Sequence, residues 1–339
     1  MKKRIVIGIG LLLVCCCPLW AQFDAQVSNY WAIPSYFNPG RTAVSGNMEV
    51  TGLYRLQWLG VEHAPKTGIM TAEMPLKLLG QEFGVGLSMY DDQIGLFKSS
   101  LMSGQIAKKF KFAKGNLSIG LRGGMIDESF DGTGVEIPDD DFYDPNDEAI
   151  PRTKVSGSSI DAAFGVFYEK EKWYAGLSAT HLLAPKLELD EKTTLEIPRT
   201  YYFTAGYNLT LSNPLIELKP SILVKTIEMS TQKVLADSLQ EAGKPNALKG
   251  LWKQTQIDVS LRLVYNKTFW GGVSWRRDDA LTLLLGGKFK VVEVGYAYDY
   301  PISDIIKVSS GSHELFIKYT VDLNKTKPQK GKYKSVRLL

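Results

Sequence analysis

The sequence predicts an all-β protein, a transmembrane antiparallel β-barrel of about fourteen strands with both termini on the periplasmic side. Three observations predict it. Segments of roughly ten residues alternate apolar and polar side chains from residue 48 to residue 322. Ile257, Val259, Leu261, Leu263 and Tyr265 form one face of such a segment, and Gln256, Asp258, Ser260 and Arg262 the other. Such persistence suits strands with one face to lipid and one to a polar lumen, closed so that every backbone group is paired inside the bilayer. Second, after Ala21 no apolar run reaches the roughly 20 residues that a membrane helix needs. Third, the connections alternate in length. Gly80-Gln81-Glu82, Ala113-Lys114, Glu169-Lys170-Glu171, Asn213-Pro214 and Asn266-Lys267 are short, whereas 129–155, 183–198, 229–252 and 301–311 are long. Short periplasmic turns and long outer loops have this asymmetry, and an even strand count returns the chain to the side where it began.

The first element, 1–21, reads as a secretory signal peptide. Lys2, Lys3 and Arg4 precede the apolar run Ile5 to Val14, and Pro18-Leu19-Trp20-Ala21 offers cleavage after Ala21. All three cysteines, Cys15, Cys16 and Cys17, fall inside it, which suits export through an oxidising compartment. A lipoprotein reading would need a small residue where Val14 stands. Loss of the leader takes the formal charge of +4 to about +1, and no strongly basic region outside the C-terminal tail suggests nucleic acid as a partner. Residues 22–47 carry an aromatic cluster of Tyr30, Trp31, Tyr36 and Phe37. They form a periplasmic N-terminal segment or a lumen plug, with a flexible lead-in as the plainer alternative.

The wall, 48–322, divides into 48–58, 67–77, 83–91, 98–110, 115–128, 156–169, 172–182, 199–211, 215–228, 253–266, 269–276, 280–289, 291–300 and 312–322. Parity assigns the faces, because successive strand side chains point to opposite sides. Val292, Val294, Tyr296, Tyr298 and Tyr300 then face lipid. Arg55, Gln57, Glu73, Arg122, Asp161, Asp258, Arg262, Arg276, Asp299, Glu314 and Lys318 face inward. Both signs of charge point into the lumen, which favours ion-pair crosslinking or a plug over a wide pore. The last element, 323–339, is a basic tail expected on the periplasmic side and disordered in isolation. Its Lys325, Lys327, Lys330, Lys332, Lys334 and Arg337 have no acidic counterpart. They suit an acidic protein surface or anionic lipid, or form a solvated tail.

Catalytic chemistry is not expected, and neither is a cofactor or a metal centre. The three histidines, His63, His181 and His313, lie in separate segments, and no H-E-x-x-H, P-loop, Rossmann or G-x-S-x-G pattern occurs. Ser312 and Glu314 share a strand face and His313 does not, so these neighbours make a poor local triad. The acidic run Asp139 to Glu148 lacks EF-hand spacing; a solvated loop is expected there, with loose Ca²⁺ binding as the alternative.

Several stretches carry a family likeness. They are Tyr36-Phe37-Asn38-Pro39-Gly40, Tyr54-Arg55-Leu56-Gln57-Trp58-Leu59-Gly60, Ala64-Pro65-Lys66-Thr67, Gly84-Val85-Gly86-Leu87-Ser88 and Asp92-Gln93-Ile94-Gly95. The strongest is Gly295-Tyr296-Ala297-Tyr298-Asp299-Tyr300, followed by Ser303-Asp304 and Ser309-Ser310-Gly311-Ser312-His313-Glu314. From about Asn38 to Tyr319 the chain resembles the PorP/SprF family of Bacteroidetes, outer-membrane barrels of the type IX secretion system. The tail extends beyond the likeness, and Gly40 stands where Ala is expected. The resemblance implies a non-enzymatic component of protein secretion. Its expected partners are outer-membrane lipid, periplasmic ring or lipoprotein components and secreted adhesins, with a link to gliding motility in some members. The rival reading is a channel for small or hydrophobic solutes, with the N-terminal segment as its hatch.

The matched residues Arg55, Gln57, Trp58, Pro65, Lys66, Asp299, Ser303, Asp304, Gly311, Ser312, His313 and Glu314 form a candidate seam and lumen network. In a closed barrel the first and last strands pair, so Arg55 and Glu314 are expected to approach across the seam, with Asp299 nearby. A role in folding alone is the plainer account of the same residues.

Overall fold

The computed structural model describes residues 24–135, 151–190, 193–228 and 255–323. Fourteen antiparallel strands form a closed wall. They are β1 (Met48–Leu56), β2 (Lys66–Leu78), β3 (Gln81–Ile94), β4 (Phe97–Phe112), β5 (Gly115–Asp131), β6 (Lys154–Lys170) and β7 (Trp173–Thr180). The second half comprises β8 (Thr200–Tyr207), β9 (Ile216–Ile227), β10 (Thr255–Tyr265), β11 (Phe269–Arg276), β12 (Ala280–Phe289), β13 (Val292–Pro301) and β14 (Ser312–Val321). Each strand pairs with its sequence neighbours, and β14 returns to pair with β1 from Met48↔Val321 to Leu56↔His313. No sheet edge is left exposed in the wall.

Local chemistry sets the ends. Leu79-Gly80, Ala113-Lys114 and Asn266-Lys267 all have positive φ at both residues, the backbone of tight hairpin turns whose twist matches the strands. These turns lie at one end, together with Met48 and Val321. The long connections lie at the other, where a small hairpin (Lys186–Glu188 with Thr194–Glu196) folds inward and buries Leu187, Leu189 and Ile197.

Alternation sorts the side chains as parity requires. Leu87, Met102, Leu121, Leu177, Leu283 and Leu285 are outward and exposed, as a lipid-facing band must be. Arg55, Gln57, Glu73, Arg122, Asp161, Asp258, Arg276, Asp299 and Glu314 are inward and buried. The lumen is less polar than the sequence suggests, however. Leu53, Ile69, Leu101, Ile126, Leu284 and Phe316 also point inward, where they bury Tyr30, Ile33, Tyr36 and Phe37 of the N-terminal segment. Apolar groups on that segment need cover, and inward apolar residues supply it.

Residues 24–47 run the depth of the lumen. Asp24 contacts Thr180, His181 and Tyr202 at the long-loop end, whereas Val44 accepts a hydrogen bond from Lys109 towards the short-turn end, beside the start of β1. The two ends of the wall thus share one mouth of the barrel, and the first described residue sits near the other.

Candidate functional site

Three of the candidates, Arg55, Asp299 and Glu314, converge where the barrel closes. Arg55 near the end of β1 stands opposite Glu314 near the start of β14, and Asp299 is one strand further along on β13. The Arg55 guanidinium lies 2.6 Å from Asp299 and 3.3 Å from Glu314, all three groups being buried. Arg276 on β11 extends the network to Asp258 at 2.6 Å, Asp279 at 3.2 Å and Asp299 at 3.4 Å. Buried charges persist only when paired and hydrogen-bonded, and the N-terminal segment completes the set. The backbone N–H groups of Ser28 and Asn29 donate to the Glu314 carboxylate at 2.8 and 2.6 Å, and Asn29 Nδ2 donates at 2.7 Å. The Ser28 hydroxyl donates to Asp299 at 2.8 Å and accepts from Arg55 at 3.0 Å and Arg276 at 3.2 Å.

The remaining residues of the two seam motifs serve the backbone around this network. Gln57 N donates to the Pro65 carbonyl, which ties off the β1–β2 loop. Trp58, at φ 52°, donates its N–H to the Ser312 hydroxyl at 3.1 Å. Gly311 accepts from Leu59 N at 2.8 Å; at φ +105°, with Asp299 O only 2.7 Å from where a Cβ would stand, the position suits glycine alone. His313 faces outward, with its Nδ1 2.6 Å from the Tyr296 hydroxyl. Lys66 is exposed at the start of β2. Ser303 and Asp304 lie apart from the network, where Asp304 pairs with Lys307 at 2.7 Å. The basic tail from Lys325 to Arg337, the acidic run Asp139 to Glu148 and the leader fall outside the described residues.

Three features escape sequence reasoning. The first is an anchor at the long-loop end, where His181 Nε2 lies 3.0 Å from Asp24 and Nδ1 lies 3.1 Å from Asp161. Tyr202 donates to the same Asp24 carboxylate at 2.5 Å, and Lys225 donates to its carbonyl at 3.1 Å. Burial alone would raise the Asp24 carboxyl, but His181 and then Lys225 outweigh it and hold it below the usual range. Burial alone would lower the His181 imidazole, yet Asp24 and Asp161 push it up to about 10.

The second is a backbone trench. Asn38 Nδ2 donates to the carbonyls of Val166 and Leu177 on adjacent strands, and Arg122 donates to the Tyr36 carbonyl at 2.6 Å. A Cβ on Gly165 would fall 2.0 Å from Asn38 Oδ1, one on Gly120 2.3 Å from the Pro39 carbonyl, and one on Gly84 2.1 Å from the Thr42 carbonyl. The stretch from Asn38 to Thr42 is thus a close fit to the glycines of the wall. The third is an aromatic stack. Trp31 sets its edge against Trp270 at 4.9 Å and Phe316 at 5.3 Å, and Arg262 lies 3.4 Å from the Trp31 ring centre. One cavity beside Asp24, Arg122 and His181 measures about 10 Å³, room for roughly one water.

A closed wall with a lipid-facing apolar band and a filled interior defines an outer-membrane β-barrel whose own chain occupies its lumen. The chain belongs to the PorP/SprF family of type IX secretion system membrane proteins, whose profile matches residues 20–319. The match takes in the lumen segment and the wall and leaves out the tail. No curated protein matches the chain. Among solved structures it is similar to a deletion mutant of the monoaromatic hydrocarbon channel TodX, at 10% identity and TM-score 0.47, over 88% of this chain and 95% of that one. The CymD monoaromatic hydrocarbon channel is similar at 11% identity and TM-score 0.46, over 86% and 92% of the two chains. BamA from Haemophilus ducreyi follows at 8% identity and TM-score 0.42, over 81% and 70%.

Proposed function

We propose that this protein is a non-enzymatic anchor of the secretion machinery, with the wall fixing it in the outer membrane while its ends or loops engage protein partners. The partners are periplasmic ring or lipoprotein components, or exported surface proteins such as adhesins. In this reading residues 1–21 are removed on export, the short turns face the periplasm, and 323–339 extends there as a basic arm.

The observation that supports an anchor over a channel is the filled lumen. Residues 24–47 cross it along its depth, are hydrogen-bonded to strands around the wall, and leave a cavity no larger than about 10 Å³ beside their anchor at the long-loop end. A solute path would require much of this packing to come apart. The test is crosslinked affinity purification from native outer membranes, comparing the full-length protein with a version ending at Leu323. Recovery of periplasmic secretion lipoproteins or a secreted adhesin is expected, and its loss on truncation would assign binding to the tail. Recovery of the barrel alone from both would reject the anchor and favour a solute channel.

A further inference from the structure

We propose that the N-terminal segment is the template on which the barrel closes, docking in the lumen before β1 and β14 pair. This does not depend on the anchor reading. The groups that must meet at the seam are Arg55 on β1, Glu314 on β14 and Asp299 on β13, all within 2% of full burial. Between Arg55 and Glu314 the direct contact is long, at 3.3 Å. The short bonds to Glu314 come from the segment: Ser28 N at 2.8 Å, Asn29 N at 2.6 Å and Asn29 Nδ2 at 2.7 Å. A seam closing over an empty lumen would leave this carboxylate facing water, without the three donors that fix its position and with only the long Arg55 contact to set its register. With the segment in place, the same carboxylate is drawn to the register in which Glu314 faces Arg55.

Geometry also opposes the reverse order. Tyr30, Trp31, Tyr36 and Phe37 are packed inside the wall, and Leu187 and Ile197 of the inward-folded hairpin are fully buried at the long-loop end. Seating four aromatic side chains in a finished barrel would require them to pass lengthwise between inward side chains such as Leu53, Ile69, Leu101 and Phe316, in a wall that can no longer open sideways. Chain order favours docking first. The segment precedes every strand, and only Ser45, Gly46 and Asn47 separate its buried Val44 from Met48 at the start of β1, a span of about 14 Å at most. Ser28 and Asn29 therefore act on both sides of the seam, as a clamp that holds β13, β14 and β1 from within.

The test follows refolding of the full-length exported chain from urea into detergent micelles. Tyr54→Cys with Leu315→Cys, residues that face one another across the seam on its outer side, reports closure as a disulfide. Ser35→Cys, at a site 1% exposed, reports docking by protection from a maleimide, and no cysteine follows Cys17 to interfere. Protection at position 35 is expected to precede or accompany the seam disulfide. Ser28→Pro, which removes both the N–H and the hydroxyl, is expected to slow the seam disulfide about tenfold or more. A control pair in β4 and β5, Met102→Cys with Met125→Cys, should form at the unsubstituted rate. If Ser28→Pro yields no folded barrel, the order of the two signals in the otherwise unsubstituted chain decides. Completion of the seam disulfide while position 35 still reacts, or an unchanged seam rate in Ser28→Pro, would overturn the proposal.

Discussion

At the scale of single residues, the seam network is a set of buried charges that stabilise only as a group. Arg55→Ala would leave Glu314 and Asp299 with fewer cationic partners in a site that excludes water, at a cost of about 3–5 kcal/mol. Replacing Arg55 and Glu314 together by Met and Leu should cost less than the sum of the single changes, because no lone charge is then buried at that pair. The temperature at which folded barrel converts to unfolded mobility on gels gives the comparison. The anchor at the long-loop end carries a pH signature. Because His181 titrates above its ordinary 6.5 when folded, its contribution is complete below that pH and is lost as pH rises through about 10. Asp24 is shifted downwards, so its contribution is complete above 3.8 and is lost only in stronger acid. His181→Gln should therefore lower barrel stability at pH 7 and remove that part of the alkaline fall near pH 10, whereas an identical alkaline profile in the variant would show that His181 does not set it.

At the scale of elements, the wall was legible and the segment's path was not. Alternation in Ile257 to Tyr265 places its strand because lipid on one side and protein on the other impose a period of two. Observed strand ends fall within a few residues of those read from the sequence, the largest difference being at Tyr207, where the chain leaves the ladder for a short two-residue pairing at Leu209–Thr210. Parity likewise brings Arg55, Asp299 and Glu314 to one face. It cannot show that Ser28 and Asn29 lie between them, because a segment without regular periodicity carries no signal for depth or direction. A partial signal was present in the glycines. Gly84, Gly120 and Gly165 are inward positions on three wall strands, and inward glycine marks a place where another part of the chain comes close: backbone of Thr42 and Pro39 at the first two, the Asn38 side chain at the third. Gly165→Val should therefore lift the part of the segment around Asn38 off the wall and expose Ser35→Cys to maleimide, with a cost of about 1–3 kcal/mol. Gly52→Ala, at a site with nothing within 4 Å, is the matched control and should leave protection intact.

At the scale of the whole molecule, the question is whether the lumen conducts. Fourteen strands alone would leave a bore that side chains only partly fill, and mixed inward charge is compatible with a narrow pore. What supports the proposed non-conducting barrel is where the N-terminal segment is held. Its long-loop end is fixed by Asp24 to His181 and Lys225, its middle by Ser28 and Asn29 to the seam, and the half towards the short turns by Asn38 and the glycine trench. Detachment at one point leaves the other two in place, so opening requires the loss of several buried contacts at once. Full-length protein in a planar bilayer should accordingly show no stable conductance steps at moderate voltage. Gly165→Val combined with His181→Gln, which loosens two attachments, should introduce brief openings while the seam remains closed. Steady conductance by the unsubstituted protein would mean that the segment is a hatch rather than a permanent filling, and the anchor reading would then have to give way to transport.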